Sequence, residues 1–324
     1  MRKTVAITGS AGFIGSNLAD KLVTLGYHVI GIDNLSMGRL ENFKHLVGRQ
    51  DFEFHQVDVR DLTALRNACR GVDIIVHLAA YKIPRYGGAL DTLLINGKGA
   101  EHVLEIGREI GAKVLLASTS DVYGKNPNLP FVETGDSVFG ASTVPRWSYA
   151  VSKLFEEHLA LAYHETHGVP VVLLRFFGSY GPRQHRSWWG GPQAVFIDAV
   201  LNGREIEIHG DGQQTRSFTF VSDTVDGIVR AMELDKAVGE VLNIGSDAEI
   251  SILNLARLIG DLAGESGDLK LRFIPYSGIG KFPYEDVRRR VPDLTKSKSL
   301  LGFSCRVPLK EGLLQTIAWQ KSVS

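Results

Sequence analysis

Thiols are nearly absent from this chain: its 324 residues include only Cys69 and Cys305. Two cysteines build neither a disulfide framework nor a four-thiolate metal site, so no metal is expected, and a reducing cytoplasm is the simplest setting. Net charge is absent too, with 36 basic residues against 36 acidic ones. Bulk charge therefore gives nucleic acid or an acidic membrane surface nothing to act on. No apolar run nears the roughly 20 residues that a membrane-spanning helix needs. Met1-Arg2-Lys3 do precede the apolar Val5-Ala6-Ile7. A glycine-rich turn follows at once, so that segment reads as a strand and not a signal peptide. Repeats and low-complexity linkers are also lacking, which argues against flexibly joined modules.

What is present is an ordinary globular composition, 44% hydrophobic, arranged as short apolar runs alternating with helical patterns. Strands are expected near Thr4–Thr8, His28–Ile32, Phe52–Val57, Val72–Leu78, Lys113–Ala117 and Val171–Phe176. Helical spacing is expected over Asn17–Leu25, Leu62–Cys69, Leu93–Ile110 and Tyr149–His167. Such alternation predicts an α/β fold, a doubly wound parallel sheet of Rossmann type. Beyond residue 178 the chain turns rich in Gly, Pro, Trp and charge. A smaller interleaved α/β substrate domain is expected there. The boundaries read as 1–177 plus about 213–248 for the dinucleotide-binding part, and about 178–212 plus 249–324 for the other.

The first strand ends in Thr8-Gly9-Ser10-Ala11-Gly12-Phe13-Ile14-Gly15, immediately before a helix. Gly9 permits a tight turn, Gly12 lets backbone approach a diphosphate, and Gly15 lets the helix pack close to the strand. The helix N-terminus adds positive partial charge. Asp33 ends the second strand, where a carboxylate binds the adenosine ribose hydroxyls and repels a 2′-phosphate, so NAD is favoured over NADP. Asp58-Val59 end the third strand and are candidates to flank the adenine.

Tyr149 and Lys153 share one helical face at i, i+4 spacing. Thr119 lies at the end of the fifth strand, on the sheet edge where ligands bind in such folds. A nearby ammonium favours phenolate and makes a tyrosine a usable base. Thr119 would orient the hydroxyl being oxidised.

With His77-Leu78-Ala79-Ala80, Ser118–Gly124, Arg175–Gln184, Gly210-Asp211-Gly212, Gln214-Thr215-Arg216, Asn243-Ile244-Gly245 and Arg290-Val291-Pro292-Asp293 added, nearly the whole chain resembles the extended short-chain dehydrogenase/reductases, in their nucleotide-sugar epimerase and dehydratase branch. The resemblance implies NAD as cofactor, a nucleotide sugar as substrate, a homodimer built on the helices at Leu93–Ile110 and Tyr149–His167, and Thr119, Tyr149 and Lys153 as catalytic residues. Ser120 and Asp121 are auxiliary candidates. On the cofactor side it places Phe13, Ile14, Asn34 and Ser36 with the glycines and Asp33. Leu78, Ala79, Ala80, Lys82, Asn96, Ser118 and Phe177 join them there. On the substrate side it places Gly178, Arg183, His185, Arg186 and Gln193, together with His209, Arg216 and Arg290. The two arginines match diphosphate ligands, which suits their forked donors.

Members of this branch begin by making a 4-keto sugar. A C4 epimerase needs no further acid or base, and a UDP-hexose or UDP-uronate 4-epimerase is the first expectation. UDP-glucuronate decarboxylases and GDP-mannose 4,6-dehydratases carry Glu where this chain has Asp121, so both remain alternatives, and a non-catalytic NAD-binding regulator is the remote one. Gly178 stands where UDP-sugar epimerases carry Asn. His209 stands where an aromatic ring stacks on uracil. The insert His185-Arg186-Ser187-Trp188-Trp189-Gly190-Gly191 is read either as a packed surface loop or as a sugar platform whose Arg186 or His185 binds a uronate carboxylate.

Overall fold

The computed structural model describes residues 3–82, 88–264, 269–278 and 285–323. From the N-terminus, β1 (Thr4–Thr8), α1 (Phe13–Thr24), β2 (His28–Asp33), β3 (Phe52–Gln56), α2 (Leu62–Ala68) and β4 (Ile74–His77) alternate. They continue as α3 (Ala89–Ile110), β5 (Lys113–Thr119), α4 (Trp147–His167) and β6 (Val171–Phe176). Short elements follow: β7 (Ser179–Tyr180), α5 (Pro192–Leu201), β8 (Ile206–His209), β9 (Thr215–Ser217) and β10 (Thr219–Phe220). The chain closes through α6 (Val221–Glu233), β11 (Val241–Ile244), β12 (Glu249–Ser251), α7 (Ile252–Ala263), β13 (Leu271–Ile274), β14 (Arg289–Arg290), α8 (Thr295–Leu301) and α9 (Leu309–Ser322).

Seven strands form one parallel sheet in the order β3-β2-β1-β4-β5-β6-β11. Its apolar runs are continuous because both faces are covered. The period of two sorts them: Val5, Ile7, Ile74, Val76, Leu115, Val172 and Leu174 join the core with Leu18 and Leu22 of α1 and Ile228 of α6. Ala6, Ile30, Ile75, Val114, Leu116, Val171 and Leu173 join the opposite core with Leu65 of α2, Val103 and Leu104 of α3 and Ala160 of α4. This is the doubly wound fold expected from the alternation.

Several helices begin earlier than their apolar spacing indicates. α1 starts at Phe13 because the Gly9–Gly12 turn passes directly into it, the Ser16 N–H donating to Gly12 O at 3.1 Å. α5 starts at Pro192, whose missing N–H costs nothing in a first helical turn. α3 and α4 both stop at glycines in the left-handed region, Gly111 (φ 70°) and Gly168 (φ 69°). The short strands escape periodicity altogether, since two or three residues show no repeat. β9 pairs antiparallel with β12 and parallel with β14, while β10 pairs with β7 and β13 with β8. Among the described residues no helix is long and apolar enough to cross a membrane, and no group of three metal-ligating side chains gathers.

Candidate active site

The C-terminal ends of the strands open into a cavity of about 1040 Å³, lined from Gly9 and Asp33 at one end to Arg216 and Arg290 at the other. That volume is at the upper end of small-molecule sites and accommodates two extended ligands end to end.

The dinucleotide half is built on β1, α1 and β2. Gly9 has φ +72°, and a Cβ there would stand 2.8 Å from the Ala79 backbone N. A Cβ at Gly15 would overlap the Gly9 carbonyl oxygen and lie 2.8 Å from Ser10 Cα. The Gly12 N–H is used within the turn, donating to Gly9 O at 3.1 Å. The N–H groups facing a phosphate are therefore those of the first helical turn at Phe13 and Ile14, which lack intrahelical acceptors. Asp33 accepts from the Ala11 N–H (3.0 Å) and the Leu35 N–H (2.8 Å). A carboxylate offers about four lone-pair sites, so positions remain for ribose hydroxyls. Burial raises the Asp33 pKa, against the lowering by those two N–H donors. Asn34, Ser36, Val59, Leu78, Ala79, Ala80, Ser118 and Phe177 also line the cavity. This glycine cradle and the carboxylate beyond it fit NAD.

Two expected cofactor residues make hydrogen bonds within the chain. Asp58 takes a bidentate pair from Arg60 (2.9 and 2.8 Å) and accepts from Asn34 Nδ2 (2.8 Å), while its neighbours Val57 and Val59 line the cavity. Hydrogen bonding to Arg60 lowers its pKa despite partial burial. Asn96 is fully buried and braces the segment after β4, accepting from the Tyr81 N–H (2.7 Å) and donating to Ser152 Oγ (2.9 Å).

At the centre, β5 delivers Thr119 and α4 delivers Tyr149, both lining the cavity, and the Thr119 side chain acts to lower the Tyr149 pKa. The Tyr149 pKa lies above the ordinary tyrosine value. Burial raises it most, followed by the negative charges of Asp121 and Glu156. The Lys153 ammonium donates to Glu156 Oε2 at 2.9 Å. Ser118 Oγ turns to Glu157, which also holds Arg175 by two bonds of 2.9 and 2.6 Å.

Beyond Tyr149 lies an alternation of half-buried charges. Asp121 is 2.7 Å from Arg290 and 3.6 Å from Arg146. Asp286 is 2.8 Å from Arg216 and 3.7 Å from Arg146. Burial acts to raise the Asp121 pKa, but Arg290, Arg146, Arg216 and Lys82 outweigh it and hold the carboxylate ionised. Arg290 and Arg216 are neighbours because β14 and β9 pair in that register. Arg288 and Arg289, by contrast, make exposed pairs with Asp211 and Glu249.

The insert after Arg183 crosses the cavity as a strap. Arg183 pairs with Asp20 of α1 at 2.7 Å, while Lys82 Nζ donates to Trp189 O at 3.0 Å. Trp189 packs edge-on against Tyr81 with centroids 5.0 Å apart. Trp188 stacks on His209 at 4.3 Å, so His209 meets a tryptophan where a base was expected. Arg186 donates to the Val323 carbonyl at the end of α9, and His185 Nδ1 bonds Ser187 with Arg39 nearby. Both residues line the cavity. Ser120, Gly178 and Gln193 line the same cavity.

Sequence reasoning missed Arg146, Asp286 and Glu156. Arg146 precedes Tyr149 by three and Glu156 follows Lys153 by three, so helical spacing was the available signal. Asp286 carried none, since its place depends on β14.

The sheet order, glycine cradle and Tyr149–Lys153 pair define an NAD-dependent short-chain dehydrogenase/reductase acting on nucleotide sugars. More specifically, the chain belongs to the GDP-mannose 4,6 dehydratase family, whose model matches residues 6–316. It is 36% identical over 325 residues to a UDP-N-acetyl-alpha-D-glucosaminuronate decarboxylase of Bacillus cytotoxicus, covering 100% of this chain and 99% of the relative. It is 37% identical to UDP-glucuronic acid decarboxylase 1 of Xenopus tropicalis, over 98% of this chain and 72% of that one. Among solved structures, UDP-glucuronic acid 4-epimerase from Bacillus cereus, in complex with UDP-glucuronic acid and NAD, superposes with TM-score 0.88 at 31% identity, covering 99% of this chain and 100% of that one.

Proposed function

We propose that this enzyme is a decarboxylase of a UDP-linked hexuronic acid, working through a transient 4-keto sugar. The observation that carries the reading is Asp121, an ionised carboxylate at the sugar end of the cavity, next to Tyr149 and countered by Arg290 and Arg146. A 4-epimerase has no chemical use for it. The decarboxylase names of the sequence relatives lend support.

NAD, when bound, accepts hydride reversibly at the sugar C4. Tyr149 takes the C4 hydroxyl proton and Thr119 holds the same oxygen. The resulting ketone is β to the C6 carboxylate. The C5–C6 bond then breaks, carbon dioxide leaves, and the electron pair moves into the C5–C4–O enolate. A proton adds at C5 and the ketone is reduced again at C4. The balance is one uronate plus one proton giving one pentose and one carbon dioxide, with NAD restored. The Asp121 charge disfavours a neighbouring carboxylate and favours a state in which that charge has moved toward C4. Arg216 and Arg290 take the diphosphate. We assign the cofactor to 1–177 plus about 213–248 and the nucleotide sugar to the remainder. The exposed Leu90, Leu94, Val151 and Phe155 on α3 and α4 support a homodimer there, and the reducing cytoplasm remains the proposed setting.

The second reading is the 4-epimerase first expected, favoured by the full-length likeness to the Bacillus cereus enzyme. A proton NMR time course with UDP-glucuronate, UDP-N-acetylglucosaminuronate and UDP-glucose separates the outcomes. A pentose anomeric signal with release of carbon dioxide supports decarboxylation. A hexuronate inverted at C4 means epimerase, and a 4-keto-6-deoxy sugar means dehydratase. Bound NAD with no turnover revives the regulator.

A further inference from the structure

Helix α4 carries an acid that neither the sheet packing nor the chemistry above employs. Glu156 and Lys153 are each 2% exposed, and the Lys153 ammonium donates to Glu156 Oε2 at 2.9 Å. The other oxygen, Oε1, is buried and has no hydrogen-bond partner among the described residues. A buried ion pair is weak evidence for stability, because desolvation of both charges cancels much of their attraction, and an apolar side chain would fill the same space more cheaply. The adjacent Glu157 is different: Arg175 and Ser118 satisfy it fully, which marks it as structural. Glu156 therefore stands out as an acid kept inside the fold with the lysine as its hydrogen-bonding partner.

We propose that Glu156 is the built-in counter-ion of Lys153 and a positioning residue for Tyr149, acting through that lysine. The inference rests on the reading of Tyr149 as the group that takes the C4 hydroxyl proton. While Glu156 is ionised, the lysine charge is balanced within its own helix and less of it acts to favour phenolate. Once Glu156 takes a proton, the whole ammonium charge acts on the tyrosine. The charged and titratable groups around the pair are Tyr149 and Glu157 on α4, His77 on β4, Asp121 after β5 and Arg175 on β6, the last closed off by Glu157. Burial pushes the Glu156 pKa up to about 7, even though Lys153 acts to lower it, and the Glu156 charge is one of those that raise Tyr149.

The test is a carbon-13 tyrosine NMR titration of the NAD-loaded protein, with the Tyr149 resonance assigned by its loss in Tyr149→Phe. Above pH 7, Glu156→Gln lowers the Tyr149 titration midpoint by about 1 pH unit or more, the size expected for uncovering an opposite charge nearby. The rising limb of the kcat/KM pH profile moves to lower pH by the same amount. Glu156→Asp, which keeps the charge, returns both readouts toward the parent. Glu156→Leu, which fills the space without a charge, repeats the Gln result if the amide misfolds. A Tyr149 midpoint and pH profile unchanged in the Gln or Leu variant overturn the inference. Turnover surviving in Tyr149→Phe sinks the underlying reading instead, so the two failures are told apart.

Discussion

Two separately buried titratable groups, His77 and Glu156, make acid stability a sharp test of the interior. His77 is fully buried, with Thr8 Oγ1 2.8 Å from Nδ1, and burial followed by the Lys153 charge lowers its pKa from 6.5 to about 3. The folded chain thus keeps His77 neutral where the unfolded chain binds a proton. Its contribution is complete above pH 6.5 and is lost as pH falls toward 3. Glu156 has the opposite sign: its pKa rises from 4.5 to about 7, so the folded chain holds a proton that the unfolded chain releases. Its contribution is complete below pH 4.5 and is lost as pH rises through 7. Each group changes stability by about 1.4 kcal/mol per pH unit wherever the folded and unfolded chains differ by one bound proton. In the parent the two slopes oppose each other between pH 6.5 and 4.5. Urea unfolding of the parent, His77→Gln and Glu156→Gln at several pH values between those limits reads the difference from the parent at each pH, which removes contributions common to all three. On acidification Glu156→Gln loses stability relative to the parent by about 1.4 kcal/mol per unit, and His77→Gln gains by as much. Parallel curves for Glu156→Gln and the parent would refute the claim that the fold holds a proton on Glu156.

Further outcomes follow from the cavity. Gly15→Ala forces α1 away from the turn, and NAD affinity measured by quenching of tryptophan fluorescence falls at least tenfold with the circular dichroism spectrum retained. Lys82→Met releases the Trp189 carbonyl and loosens the strap, so bound NAD dissociates about tenfold faster in stopped flow, the size of one charge-assisted hydrogen bond. Arg216→Met removes a forked donor and weakens UDP binding in calorimetry by about 1.5–3 kcal/mol, leaving NAD affinity unchanged. Asp121→Asn leaves Arg290 without its carboxylate partner; pentose formation drops at least a hundredfold while enzyme-bound NADH still appears on mixing with the uronate.

Much of this enzyme was legible before any coordinates. Strand runs such as Val171–Phe176 announce a sheet covered on both faces, because burial on both sides demands unbroken apolar character. The turn from Gly9 to Gly15, Asp33 and the Tyr149–Lys153 spacing are local features whose geometry follows from strand, turn and helix periods alone. Helix starts were less legible, since Phe13 and Pro192 open helices for reasons of turn geometry rather than apolar spacing.

The sequence by itself determined the layered α/β architecture, the dinucleotide cradle and the helical face that carries Tyr149 and Lys153, since all of these arise between residues close in the chain. Tertiary structure alone decided that Asp121 meets Arg290, that Arg146 bridges Asp121 and Asp286, and that Trp188 covers His209. The charged contacts join segments far apart in sequence, Arg216 and Arg290 being carried by β9 and β14, strands of two or three residues that are too short for any periodic signal, and charge pairing across such distances is set by where the folded backbone brings the side chains together.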